Sequence, residues 1–488
     1  MGTEVLDPPG AQPATDRVWS IETNGINPIP DAERHGRPLE LFWVWCAANI
    51  SILGIAFYGA AVVAFYQLNV VQGIIAGIIG TVAGFVLVGF ISLAGKWSGA
   101  PTLVLSRASF GVLGNALPTL ISYISLVGWE IALVALSALA TSTVLDRLGY
   151  HAATGSKIAG FVVAAGATIA VGLMGHATIV RIQTFFTWAF AALTVVFMVL
   201  LLPQIDVHKL AKLPTTDFLH GMLPAISIIV AGLGIGWVNT AADYSRYLPR
   251  SSSSRGVFGW TVFGASIAPI ILIVFGVLLA GKNAGLASSA NPIGDLAAPL
   301  PTWFLVPYLI VAVGGLLAGA VLDIYSSGLN LLTLGVGIPR YQSVAIDGVL
   351  LVTGNIYVLF VAKNFVTPFI GFLVTLGVPL TAWAAIFLVD MALYRRRAGY
   401  DEPALYDANG RYGAFNLAGL IAFVVAVVVG LGLVTSFSPV FSWVGWWAKK
   451  TVFAGSGLGI LVAFGVGGLL YGGLSLVLPK RANAPARA

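Results

Sequence analysis

Gly232-Leu233-Gly234-Ile235-Gly236, followed at once by Trp237, lies inside the apolar stretch 220–242. No strand precedes it, so it is a poor phosphate-binding loop despite the glycine spacing. Three glycines in five residues weaken helical propensity inside a segment hydrophobic enough to need a helix, and a helix break is expected there. A second such place is Ala47-Ala48-Asn49-Ile50-Ser51-Ile52-Leu53-Gly54 in the apolar stretch 41–66, where polar residues and a glycine interrupt the run.

Between and around these two stretches, apolar runs separated by polar punctuation predict twelve membrane spans. They fall near 41–66, 70–95, 113–145, 158–176, 184–203, 220–242, 257–281, 303–336, 344–363, 366–390, 414–436 and 453–478. The interrupted stretches are then the first and sixth spans. Paired broken helices in corresponding positions point to two inverted repeats with a substrate site near the bilayer midplane. The expected organisation is a cytosolic N-terminal tail (1–40, mostly flexible) and a first repeat (41–203, spans one to five). A second repeat (220–390, spans six to ten), a cytosolic loop (391–413), two added spans (414–478) and a C-terminal tail (479–488) follow. Gly73/Gly77, Gly80/Gly84 and Gly315/Gly319 are small-xxx-small pairs that let helix backbones approach closely.

Composition narrows the class. Of 488 residues, 58% are hydrophobic and 9% charged, against ~25% charged in a soluble domain. That excludes a soluble enzyme, a single-pass receptor and a lipid-anchored protein. Continuous apolar runs exclude a membrane β-barrel, whose strands alternate. With the N-terminus inside, 17 of the 25 Lys and Arg fall on the cytoplasmic side and 8 outside, as the positive-inside rule requires. Both termini are expected in the cytoplasm of a cell with this chain in its inner membrane. The net charge of +6 is explained by those loops, and no basic stretch interleaved with aromatics points to nucleic acid. The lone Cys46 forms no internal disulfide. His35, His151, His176, His208 and His220 are scattered, with no His-Glu-x-x-His pattern, so a metal, a cofactor and an integral-membrane enzyme are not expected. A channel fits less well than a transporter, because two long interrupted spans replace a short repeated filter.

Ionisable residues inside spans are functional candidates by default. Asp243, Asp347 and Asp390 sit near span ends, where water or a loop arginine is in reach. Glu130 and Asp323 have long apolar runs on both sides and are candidates for substrate or proton binding. Trp129 and Trp237 lie nearer mid-span than the interface, where their faces could sandwich a flat heterocycle. Asn49, Ser51 and Gly54 belong to the polar interruption of span one.

These residues together resemble the purine–cytosine permease branch of the nucleobase:cation symporter family 1. The resemblance runs from about Glu22 to about Asn416. It is carried by Glu22-Thr23-Asn24-Gly25-Ile26, Trp45-Cys46-Ala47-Ala48-Asn49, Gly128-Trp129-Glu130, Gly236-Trp237, Ala241-Ala242-Asp243-Tyr244, Asp323-Ile324-Tyr325-Ser326, and Arg395-Arg396-Arg397 with Gly399-Tyr400-Asp401. It implies an all-α LeuT-type fold, alternating access, and symport of a nucleobase with a cation. By the same resemblance Trp129 and Trp237 flank the substrate ring. Asp323 stands where many relatives carry asparagine, Gly54 where some carry serine, and Leu133 where many carry asparagine. Sodium sites in this fold resemble one another in using hydroxyls on span eight. Here that stretch, Val313 to Ala320, has no Ser or Thr, and a hard cation prefers oxygen ligands. Proton coupling through Glu130 or Asp323 is therefore expected, with a sodium-coupled carrier of allantoin or hydantoin as the alternative.

Overall fold

The structure, a computed structural model, describes residues 17–281, 292–362, 366–436 and 438–478. The first 16 residues of the expected N-terminal tail, the C-terminal tail 479–488, and Lys282 and Lys363 of the charge count lie outside them. The described residues are helical, with no strand.

The long helices are α1, in two halves Glu40–Asn49 and Gly54–Phe65, then α2 Val70–Ser98, α3 Ala116–Arg147, α4 Ala153–Met174, α5 His176–Leu201 and α6 Phe218–Val238. They continue as α7 Ser254–Leu279, α8 Leu305–Thr333, α9 Arg340–Phe360, α10 Val366–Asp390, α11 Leu417–Leu433 and α12 Leu458–Val477. Among the described residues ten helices are long and apolar enough to cross a membrane, and the bent α1 makes eleven. The expected twelfth, α11, has 17 residues. At 1.5 Å per residue that is about 25 Å, short of a ~30 Å hydrocarbon core.

Helix packing sorts the chain into two groups. α1, α2, α6 and α7 pack on one another, and so do α3, α4, α8 and α9, with α3 lying along α8. Each group takes the corresponding helices of two five-helix sets, as inverted repeats require. α11 and α12 pack together against α10, outside both groups.

Glycine sets the spacing inside the first group. A Cβ on Gly84 would come within 2.7 Å of the Gly234 Cα, and one on Gly77 within 2.5 Å of Ile273. The predicted small-residue pairs on α2 are thus its contacts with α6 and α7. α2 itself starts at a reciprocal cap, in which Asn69 Oδ1 accepts from the Gln72 N–H at 2.8 Å and Gln72 Oε1 accepts from the Asn69 N–H at 3.2 Å.

The two predicted interruptions take different forms. α1 stops at Asn49 and resumes at Gly54 with a 64° bend. Asn49 Nδ2 donates to the Trp45 carbonyl at 2.8 Å, closing the first half's last turn. The α6 glycine run is not the expected break. Residues Val230–Ile235 widen into a π-helical turn, and the helix ends only at Val238. The chain then runs as buried turns from Asn239 to Tyr247. Each glycine meets a neighbour: a Cβ on Gly232 would collide with the Tyr58 hydroxyl and one on Gly234 with Gly84. Gly236 faces Trp129. Close approach, not flexibility, accounts for the run.

The expected flexible tail is also corrected over its described part. Residues 17–39 pack against the ends of the helices, anchored by Glu22, which is 5% exposed. Its Oε1 accepts from Tyr247 at 2.7 Å and pairs with Arg246 at 3.1 Å, and its Oε2 accepts from the His176 N–H at 2.8 Å.

Candidate functional site

The bend in α1, the π-turn of α6 and the middles of α3 and α8 surround a small central cavity. Trp129, Trp237, Asp323, Asn49, Ser51 and Gly54 all line it, and so does Leu133. Residues from the bent α1, the π-turn of α6 and the regular α3, α7 and α8 thus converge, because the unwound stretch of α1 exposes backbone and small polar side chains that a continuous helix would cover.

Each wall has a local cause. Trp237 is held edge-on by Trp45, ring centroids 5.6 Å apart, and Trp45 in turn by Tyr244 at 5.5 Å. Trp129 is held edge-on by Phe369 of α10 at 5.1 Å. Two locked indoles facing one cavity make an aromatic slot for a planar ring. Ser51 accepts from the Leu53 N–H at 3.4 Å, so its hydroxyl partly serves the bend. Asp323 is buried and makes no hydrogen bond to a described residue. A carboxyl with unused hydrogen-bonding capacity at an otherwise apolar wall is a group a polar ligand would satisfy.

Glu130 does not join them. Next to Trp129 on α3, it points away from the cavity into the α3–α8–α9 interface, fully buried. Its Oε1 lies 2.7 Å from Ser327 Oγ, within hydrogen-bond distance. Ser327 also lies 3.0 Å from Asp347 Oδ2, and Tyr123 donates to Asp347 Oδ1 at 2.6 Å. Asp347 therefore reaches neither water nor a loop arginine as expected: it is 0% exposed and belongs to this carboxyl cluster. Asp243 is also corrected, since its Oδ1 takes the N–H and the hydroxyl of Thr102 at 2.7 and 2.8 Å and so ties down the turns after α6. Asp390 does meet Arg395, at 2.8 Å.

Residues missed in the sequence are Tyr58, Leu53, Leu233, Pro269 and the pair Gly315/Gly319, all on the cavity wall. Pro269 was the readable signal, since a proline within a helix interrupts its hydrogen-bond ladder. Gly315 touches the bend of α1: a Cβ there would lie 2.3 Å from the Ile50 carbonyl oxygen. At Gly319 the nearest atom would be Leu133 Cδ1 at 3.1 Å. Gly315→Ala should accordingly cost about 1–3 kcal/mol by overpacking against rigid backbone, with Gly319→Ala clearly milder. Thermal unfolding of both variants in one detergent measures the order, and equal midpoints would remove the significance given to the Ile50 contact.

Comparison with known proteins agrees with this geometry. Residues 28–467 match the family model described as permease for cytosine/purines, uracil, thiamine, allantoin. YxlA of Bacillus subtilis is 29% identical over 464 residues, covering 92% of this chain and 95% of that protein. The purine-cytosine permease FCY2 of Saccharomyces cerevisiae is 24% identical over 458 residues, 87% and 80% of the two chains. In fold, the chain is similar to Mhp1, a nucleobase-cation-symport-1 family transporter solved closed with bromovinylhydantoin bound. The TM-score is 0.69 at 18% identity, over 94% of this chain and 97% of Mhp1. The arrangement is thus the LeuT-type one, and the molecule is a multi-pass membrane transporter, not an enzyme. The chain belongs to the family of permeases for cytosine and purines, uracil, thiamine and allantoin.

Proposed function

We propose that this protein carries a nucleobase, cytosine or a purine, into the cell together with a proton, by alternating access. The observation that carries the reading is the cavity between Trp129 and Trp237 with Asp323 on its wall, hydrogen-bonded to none of the described residues. The indoles stack the ring, and Asp323 bonds its polar edge. Asn49 and Ser51 add polar atoms at the bend of α1, where Gly54 keeps the wall low. The four-helix group containing α1 and α6 rocks against the group containing α3 and α8, exposing the cavity to each side in turn. The membrane is the cytoplasmic one, with both termini inside, which the distribution of Lys and Arg supports.

Proton coupling is supported by what faces the α1 bend. Gly315 and Gly319 of α8 stand against the Ile50 and Ala48 carbonyls, and a glycine brings no side-chain oxygen to a sodium ion. Uptake of labelled cytosine, adenine, hypoxanthine, uracil and allantoin into transport-deficient cells tests the whole reading. Accumulation of one base should survive sodium removal and collapse with a protonophore. Sodium-dependent accumulation of allantoin or a hydantoin would replace it with the other coupling and substrate class.

A further inference from the structure

We propose that the coupling proton is held and passed on by a buried chain, Glu130–Ser327–Asp347–Tyr123, that stands behind the substrate cavity and not in it. The proposal rests on the proton-coupled reading above and says where that proton resides.

Ser327 has one hydroxyl hydrogen, yet its Oγ lies 2.7 Å from Glu130 Oε1 and 3.0 Å from Asp347 Oδ2. The hydroxyl can donate to one of these oxygens and must accept from the other. A carboxylate cannot donate, so at least one of the two carboxyls is a protonated acid. The third contact of the hydroxyl, with the Ile324 carbonyl at 3.3 Å, does not rescue a doubly ionised pair, because a hydrogen spent there would leave both carboxyls as donors. Tyr123 donates its own hydrogen to Asp347 Oδ1, and Glu130 Oε2 has no partner. No Lys, Arg or His among the described residues makes a salt bridge with either carboxyl. A further carboxyl, Asp323, lies one turn before Ser327 on α8, and among the described residues α4 and α10 bring no hydrogen bond or ion pair to the two carboxyls. One extra proton is thus built into a site with no cation to replace it.

The chain's two ends suit a relay. Glu130 adjoins Trp129 and Ser327 follows Asp323 by one turn, so α3 and α8 each carry both cavity residues and chain residues. At the other end Tyr123 is half-buried, near the start of α3, and Asp347 lies near the start of α9. α9 comes close enough because residue 328 is glycine, where a Cβ would meet Ser343 Oγ and Val344 at 3.1 Å. In the transfer the Glu130 O–H bond breaks and its proton goes to Ser327 Oγ. The Ser327 hydrogen passes at the same time to Asp347 Oδ2, leaving Glu130 ionised and Asp347 neutral. Asp347 is buried as packed here, so the proton leaves it for water only when the packing around Asp347 and Tyr123 opens.

The test is base-driven proton entry into proteoliposomes, read with an internal pH dye, alongside counterflow exchange of labelled base, which needs no net proton movement. Glu130→Gln and Asp347→Asn each supply a fixed N–H in place of a mobile proton. Both should keep counterflow and lose base-driven acidification and concentrative uptake, and Ser327→Ala should do the same by cutting the relay. Wild-type protein that moves base without protons would defeat the proton-coupled reading itself. Wild-type coupling that persists in both carboxyl variants would overturn this proposal alone. Loss of coupling in Glu130→Gln only would overturn the shared site, and loss of counterflow in all three variants would reduce the chain to a packing device.

Discussion

Asp323→Ala should abolish concentrative uptake while leaving the protein about as stable as before. The carboxyl lines the cavity and makes no hydrogen bond to a described residue, so its removal breaks no contact between helices. A bound ring loses a hydrogen bond to a group that can be charged, of about 1.5–3 kcal/mol, or roughly 10- to 150-fold in affinity. Asp323→Asn restores a hydrogen-bonding group of the same shape and should recover most of the binding. Binding by tryptophan quenching, which Trp129 and Trp237 make possible, and thermal unfolding without substrate measure the two halves separately. A large drop in the unfolding midpoint of Asp323→Ala would show that the residue holds the helices together and is not waiting for a ligand.

Glu22→Ala should have the opposite signature, a large loss of stability from a residue outside the expected spans. Its carboxylate faces two buried guanidiniums, Arg246 at 3.1 Å and Arg340 at 3.9 Å. Arg340 further stacks on Tyr325, 4.7 Å from the ring centroid. Deleting the carboxylate leaves two buried positive charges without their counter-charge, which costs roughly 3–5 kcal/mol where one partner of a buried pair is lost. Arg250→Ala is the control, because Arg250 is 44% exposed, its partners Asp31 and Glu402 are 67% and 27% exposed, and such surface pairs are worth about 0–1 kcal/mol each. If the two variants unfold at the same temperature, the Glu22 cluster is not a structural anchor.

The contrast between these residues shows what was readable in advance. Trp129, Trp237 and Asp323 stood out because a polar or amphipathic side chain in mid-span has no solvent to explain it. The bend of α1 stood out because Asn49, Ser51 and Gly54 interrupt an apolar run. Glu22 did not stand out as a structural element. A glutamate in a polar tail is ordinary, and its value comes from Arg246 and Arg340, more than 200 residues away in the chain. Asp347 was misread for the same reason: seven residues into α9 it looked close enough to water, and only packing against Tyr123 and Ser327 buries it.

The sequence by itself determined the class of molecule, the existence of paired irregular spans, and most of the residues that face the central cavity. Those follow from transfer free energies and helix propensity, which act on each residue and its near neighbours. Tertiary structure alone decided that the α6 glycines form a π-turn against Tyr58 and Gly84, and that the tail is pinned by an ion cluster. It also decided that Glu130 leaves the cavity for Asp347 while Asp323 keeps to the wall. Each of these depends on which groups meet across helices, where separations of a few tenths of an ångström separate a contact from a collision.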